Sequence, residues 1–462
     1  MLRLYICIFC FLFCCDSFAV TKDVILKLGL PVVFIETDTG ENPTSETIYD
    51  DAGVWMGVVP GEKLTGRIWI EQGDSVFYDS GTYLADSMGM TIRVRGNSTA
   101  LRDKKPYKVK LQKKADLLRR GDKRFNNKHW VLLKRGYSTD DMIGFEVNRI
   151  VGMPYRPSYE YVNLFLNGEY RGLYTIAENV KRDTDCRIDV EKTTGFIVEL
   201  DAFHRLADFY FMTTRSPMGF TYKYPDADEV DSLFNERVKA DIQLMENSVV
   251  DGTYDDKIDI NSWARYLLAT DIIAASDHYG CNMFYAKHDD SDSSKIFFPC
   301  LWDFDSVKKN DGKWGCKHEV YLFDQLLVSS NPAFFEAYKR LWDEKSDSIF
   351  TAIDVLLDSL LHSDVCKAID ASMPFDPEWH IGRGTYTQQL QWLQDFFTQR
   401  RQWIDAHIGE IRVYDAVDYQ SAADGGQVEE KLLYYDLTGR RVVAGSRLRK
   451  GIYIKNGKKI VE

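Results

Sequence analysis

Asp277 and Asn282 stand with four residues between them in SDHYGCN (276–282), and Asp303 and Asp305 follow in LWDFDS (301–306). Phosphoryl transfer uses that order: an aspartate for the acceptor hydroxyl, an asparagine shortly after it to help hold metal, and a metal-binding aspartate beyond the next strand. If 295–306 continues as a strand, Trp302 and Phe304 point one way and Asp303 and Asp305 the other. Two carboxylates on one face beside an apolar core are costly without a cation. Magnesium suits them, because it takes a few carboxylate oxygens and completes its shell with phosphates. Taken singly, neither pattern is specific. D-x4-N arises by chance, with Asp277 then capping or turning a loop, and D-x-D is common in surface turns. The acidic HDDSDSS (288–294) reads as an exposed hairpin turn between two strands.

The elements that must carry these residues follow from pattern. INSWARYLLATDIIAAS predicts a helix running into the loop at Asp277, with a strand at 283–286 after it. Upstream, LPVVFIETD, GRIWIEQG, TIRVRGN and PYKVKLQ are short β-branched and aromatic runs bounded by turn residues, so the first hundred residues read as β-rich. STDDMIGFEVNRIVGM predicts a helix with Ser138 or Thr139 as its cap. YEYVNLFLNGEYRGLYTIAEN predicts a hairpin about Asn167-Gly168. From about Asp231 the periodicity becomes helical, in LFNERVKADIQLMEN, NPAFFEAYKRLWDEKSDSIFTAIDVLLDSLL and YTQQLQWLQDFFTQRRQWIDAHI. A β-rich front and a helical back make an α+β, bilobal architecture, with the cleft between the lobes as the expected site.

Composition sets the outer limits. The chain has 462 residues, 45% hydrophobic and 28% charged, with 10 Trp, 26 Tyr and 26 Phe, which is too apolar and aromatic for disorder. A net charge of -12 argues against a general nucleic-acid binder. One local basic stretch, RDKKPYKVKLQKKADLLRRGDKR (102–124), remains suited to a small phosphate. The N-terminus carries Arg3, an apolar run over 4–15 and a small-x-small pattern at Ser17-Phe18-Ala19, the features of an export signal over 1–19. The run is too short for a membrane anchor; lipidation at Cys15 is a weaker alternative. Of the 9 cysteines, Cys186, Cys281, Cys300, Cys316 and Cys366 lie beyond that signal, in no metal-binding or dense disulfide pattern.

MTIRVRGNSTALRDKKPYKVKL, KHWVLLKRGYSTDDM, YVNLFLNGEYRGLYTIAENV, SDHYGCNMFYAK and FPCLWDFDS together resemble the successive blocks of the spore-coat-protein-H (CotH) kinase family, atypical kinases of secreted or surface proteins. The resemblance covers roughly residues 30–340. It implies a kinase-like bilobal fold over 20–410, ATP with Mg2+, and transfer of the γ-phosphoryl group to a Ser or Thr hydroxyl of a protein substrate. By that resemblance Asp277 is the catalytic aspartate, Asn282 helps hold metal, and Asp303 binds it with Asp305 in support, or the two exchange these roles. Lys105 and Lys108 fall where a phosphate-binding lysine is expected, with Lys108 preferred. Arg95, Asn97 and Ser98 in RGNSTA take the place of a phosphate-covering loop, although no G-x-G-x-x-G is present. Glu146 is the candidate ion-pair partner of the lysine, and Glu178 lies near the nucleotide base or caps a turn.

After the Gly-containing linker DYQSAADGGQVEE, the tail 411–462 reads as a small β-module. YYDLTGRRV and KGIYIKNGKKIV resemble the C-terminal sorting module of exported Bacteroidetes proteins, which implies outer-membrane secretion machinery as a partner. Two other readings stay open on the sequence. One is a non-catalytic surface protein that keeps the fold to bind a partner. The other is a glycoside hydrolase using Asp303 and Asp305 as paired carboxylates, which leaves Asn282 and the lysine strand unused.

Overall fold

The computed structural model describes residues 20–409, apart from 217, 277, 279–281, 309–311 and 316–320, together with the strand residues 434–436, 441–442, 452–455 and 458–461. The expected export signal, the catalytic candidate Asp277 and most of the tail therefore lie outside the described residues. After a short helix α1 (Lys22–Leu26), the first half of the chain is strands: β1 (Val32–Thr37), β2 (Ser45–Tyr49), β3 (Trp55–Pro60), β4 (Leu64–Gln72), β5 (Ser75–Asp79), β6 (Met90–Val94), β7 (Tyr107–Ala115) and β8 (Asn127–Leu133). Helix α2 (Asp140–Val151) interrupts them before the hairpin β9 (Tyr159–Leu166) and β10 (Glu169–Glu178). The Asn-Gly turn is as expected: Asn167 and Gly168 both take positive φ, 52° and 79°, and Leu166 pairs with Glu169.

These strands close on themselves. The sheet runs β1-β9-β10-β8-β7-β6-β4, and β1 pairs with β4 as well as with β9, which makes a barrel with β5 attached along β4. Strand alternation then sorts the side chains. Ile68, Ile70, Ile92, Val94, Val109, Leu111, Trp130, Leu132, Leu164 and Ile176 fill the inside. Val131, Tyr161, Leu173 and Ala177 face outward and join the larger core built with the helices. Arg93 and Lys108, cross-strand neighbours on β6 and β7, share that outward face.

The second half is a five-stranded antiparallel sheet surrounded by helices. Its order is β12 (Tyr210–Phe211), β13 (Gly219–Tyr224), β11 (Phe196–Asp201), β14 (Met283–Lys287) and β15 (Ile296–Phe297). The helices are α3 (Ser232–Asp251), α4 (Ile260–Ile272), α5 (Tyr321–Val328), α6 (Ala333–Leu361), α7 (Asp364–Ser372) and α8 (Tyr386–His407), of which α4, α6 and α8 pack together. A full capping box of Thr385 and Gln388 begins α8. Mixed α+β with a strand-rich front and a helical back is thus the architecture. The described tail residues β16 (Tyr434–Asp436), β17 (Arg441–Val442), β18 (Ile452–Lys455) and β19 (Lys458–Val461) pair as a separate four-stranded antiparallel sheet.

The halves are fastened by a buried ion pair. Lys104, in the loop between β6 and β7, is paired with Asp376, which follows α7, and donates to the Leu173 carbonyl at 2.7 Å. The Asp376 carboxylate also accepts from the Leu173 amide at 2.7 Å. The Lys104 ammonium lies 5.0 and 4.9 Å from the Tyr137 and Tyr174 ring centroids.

Candidate active site

The strand expected over 295–306 ends at Phe297, and LWDFDS is a loop with Asp303 at φ 66°. Helix α2 holds that loop. Buried Asn148 accepts the Leu301 amide at 2.8 Å and donates to the Leu301 carbonyl at 3.1 Å, replacing the ladder bonds a strand would have supplied. Phe145 packs edge-on against Trp302 and Phe304, with centroids 5.7 and 5.3 Å away. The Phe304 ring lies so near Gly144 that a Cβ there would come within 2.1 Å of it. Trp302 and Phe304 therefore anchor on α2 through loop geometry, not through the strand pleat expected of them. Nor does Thr139 cap α2 with its side chain; the Ser138 hydroxyl accepts the Asp140 amide at 3.3 Å.

The loop that carries Asp277 is tied to LWDFDS on both sides of that residue. Ser276 donates its backbone N–H and its hydroxyl to the Ser306 carbonyl, each at 3.3 Å. His278 donates from Nε2 to the Trp302 carbonyl at 3.0 Å. Burial lowers this imidazole to about 4, so it is neutral at physiological pH.

Around Asp303 and Asp305 the acidic charge is concentrated and partly offset. The charge of Asp303, then burial, raises Asp305 to about 6. Burial raises Asp303, against the opposing pull of Arg95 and Arg135. Asp141 in the first turn of α2 is pushed up to about 7, by burial first and then by Asp140, Asp303 and Asp305, with Arg135 opposing. Its Oδ2 is buried with no hydrogen-bond partner. Its neighbour Asp140 is different: burial disfavours its charge, but Lys308 and Arg135, which grip its two oxygens, outweigh that and hold it low.

Arg95, which acts electrostatically on Asp303, has its guanidinium 5.8 Å from the Trp302 ring centroid. Asn282, at φ 64°, donates its backbone N–H to Glu199 at 3.2 Å, and Glu199 pairs with Lys223. Asp303 is thus within electrostatic reach of Arg95 and of Glu199, the carboxylate that accepts from Asn282, and Asp305 is within reach of Asp303. Ser98 is exposed in the 3-10 turn Ser98–Leu101 that follows Arg95.

Three expected residues are engaged elsewhere. Lys105 donates to the Ala100 carbonyl at 2.7 Å and so braces its own loop. Glu146 pairs with Arg149 one turn along α2 at 2.7 Å and accepts from the Tyr159 hydroxyl at 3.2 Å, not from a lysine. Buried Glu178 joins Arg120 at 2.9 Å and Arg187 at 2.8 Å and accepts the Ser158 amide at 3.0 Å, a fully used structural carboxylate. Lys108 lies on the barrel's outer face among other cations.

The residues missed by sequence reasoning are Arg135, Asp140, Asp141 and Lys308. The signal was present in KRGYSTDDM, a cation just after a strand and two carboxylates at a helix start, but acidic residues there are ordinarily explained by the helix dipole. For a divalent cation the fit is favourable in charge: three repelling carboxylates, one with an orphaned buried oxygen, would be relieved by it. No group of three or more His, Cys, Asp or Glu side chains among the described residues is arranged to hold a metal. Ligation through one or two carboxylates with phosphates completing the shell is magnesium's habit.

A family model described as CotH kinase protein matches residues 92–404. Among solved structures, the crystal structure of a Helicobacter pylori proinflammatory kinase CtkA is similar over 63% of this chain and 92% of that chain, at 10% identity and a TM-score of 0.28. No curated protein matches the chain.

Proposed function

The chain belongs to the CotH kinase family, and from that premise we propose that it is an exported protein kinase that passes the γ-phosphoryl group of ATP to Ser or Thr hydroxyls of secreted or surface proteins. Family membership implies ATP and a divalent cation; Mg2+ is our choice for the cation. One observation carries the reading: the residues on both sides of Asp277 are hydrogen-bonded to the loop of Asp303 and Asp305. A base aspartate and metal-binding carboxylates must be neighbours for this chemistry.

Asp303 and Asp305 would hold the cation with Asn282 beside them, and Asp141 adds negative charge from α2. Arg95 and Arg135 both act electrostatically on Asp303 and would meet phosphate oxygens, with Asp140, itself paired with Lys308, holding Arg135. Asp277 would orient the acceptor hydroxyl and take its proton. When bound, the cation supplies charge neutralisation across the phosphates. The protein contributes position and fixed electrostatics, which carry most of phosphoryl-transfer catalysis. Export rests on residues 1–19, and delivery by outer-membrane secretion machinery on the tail's resemblance to a sorting module.

The test is magnesium-dependent transfer of labelled γ-phosphate to the protein and to generic acceptors. Loss of transfer in Asp277→Ala and in Asp303→Asn, by about 10²-fold or more, is expected. A folded wild-type chain that neither binds ATP nor transfers phosphate would sink the reading and favour a binding scaffold.

A further inference from the structure

Lys308 is a junction between three parts of the molecule. It takes φ 61°, a left-handed backbone that few residues other than glycine adopt, and its contacts hold it there. Its backbone N–H donates to the Ile273 carbonyl at 2.8 Å, four residues before Asp277. Its ammonium is paired with Asp140 and donates to the Thr139 hydroxyl at 3.4 Å. The same ammonium lies 5.6 Å from the ring centroid of Trp392 on α8. A residue three positions beyond Asp305 thus joins the approach to Asp277, the start of α2 and α8.

Trp392 is the member of this junction that meets solvent. Its side chain is 50% exposed, yet the indole is held in place, stacked on buried Phe396 one turn along with centroids 5.3 Å apart. α8 is fixed beside the same segment, because Gln389 accepts the Thr139 amide at 3.2 Å and donates to the Tyr137 carbonyl at 3.0 Å. Exposed apolar residues scattered singly are ordinary. This one is set apart by its neighbours: Lys308 holds Asp140, whose charge acts on Asp305. The Lys308 charge is already matched by Asp140, and over 386–397 the sole charged residue is Asp395. What Trp392 offers an incoming group is therefore apolar surface, fixed in advance.

We propose that Trp392 is a specificity-determining residue for the acceptor protein, taking an aromatic or aliphatic side chain that flanks the acceptor hydroxyl. That the ligand is an acceptor rests on the kinase reading; that the surface takes an apolar side chain does not. A rigid indole presents a large contact area while giving up little side-chain freedom, which is why tryptophan is enriched among the few residues that dominate protein interfaces. Its role is selection: it brings neither charge nor proton to the transfer.

The probe is an array of peptides with a fixed central serine and each flanking position varied, read twice with the full chain. Without nucleotide, wild type should be retained on peptides bearing an aromatic or aliphatic residue at one flanking position. With ATP and magnesium, the same position should govern phosphate transfer. Trp392→Ala should lose both selections and raise KM for the preferred peptide about tenfold, with KM for ATP unmoved. Trp392→Phe keeps an aromatic surface and should retain most of the preference. A merely structural Trp392 would leave the preferred sequence unchanged. No apolar selection by wild type, or the same selection by Trp392→Ala, overturns the proposal whether or not phosphate is transferred. Selective binding that Trp392→Ala loses, without transfer by wild type, ends the kinase reading and leaves this surface standing; transfer without selection does the reverse.

Discussion

The ring of Phe304 rests on the backbone of Gly144, at a distance that leaves no room for a Cβ. Two effects oppose each other at that glycine. Alanine is favoured over glycine inside a helix by about 1 kcal/mol, whereas forcing an atom into a packed core costs about 1–3 kcal/mol. Here the clash is with a buried ring held by Phe145 as well, so the packing term should win. Gly144→Ala is expected to lower stability in urea denaturation and to slow phosphate transfer, because Asp303 and Asp305 flank the displaced ring. A Gly144→Ala protein more stable than wild type and equally active would show that the contact does not position the loop.

Arg135 offers a sharper test of the carboxylate cluster. It grips Asp140 and lies within electrostatic reach of Asp141, Asp303 and Asp305. Arg135→Gln should reduce kcat/KM for ATP by about 10²-fold, the order seen when a preorganised charge-stabilising donor is removed. Arg135→Lys should recover only part, since a point charge does not reproduce the planar guanidinium. Wild-type kinetics in Arg135→Gln would remove this residue from the site.

How far the sequence disclosed this arrangement depends on what kind of information each element needed. The hairpin at Asn167-Gly168, the strands around Ile92 and Val109 and helices α3, α4, α6 and α8 were legible because their signals are local: turn chemistry and hydrophobic period. Barrel closure was not, since pairing of β1 with both β4 and β9 is a long-range fact that no window of residues contains. The acidic pair was found from its order along the chain, but its setting was misread as a strand. Apolar, β-branched and aromatic residues at 296–304 fit either a strand or a buried loop held by Asn148. Glu146 is held by Arg149 one turn along its helix, whereas Glu178 is held by Arg120, 58 residues away, and by Arg187, partners no local pattern discloses. Gly144 inside a helical pattern was the one overlooked hint that something packs closely there.

The fastening between the halves predicts a specific pattern of stability. Lys104 and Asp376 are both buried, so removing one partner leaves the other charge uncompensated, at about 3–5 kcal/mol. Asp376→Asn should therefore destabilise the protein strongly, and Lys104→Met should do the same. The double variant Lys104→Met with Asp376→Asn should lose less than the sum of the single losses, because neither charge is then stranded while the side chain at 376 still offers an oxygen to the Leu173 amide. Additive losses in the double variant, measured by urea midpoint, would mean that the two residues act independently.

Glu246 on α3 makes the last prediction, in pH. It is buried, hydrogen-bonded to Thr213 and reached by the Gln243 amide at 3.4 Å, and burial raises it from an ordinary 4.5 to about 7. An acid whose folded value is raised keeps its proton in the native state while the unfolded chain releases it. Unfolding is therefore increasingly favoured as pH climbs from 4.5 to 7, and the penalty is constant above that. At about 1.4 kcal/mol per pH unit between the two values, the loss approaches roughly 3 kcal/mol. Glu246→Gln keeps the shape and cannot ionise, so its urea midpoint should exceed that of wild type at pH 8 and converge with it near pH 4.5. Parallel curves for the two proteins across that range would show that Glu246 is charged in the native state at neutral pH.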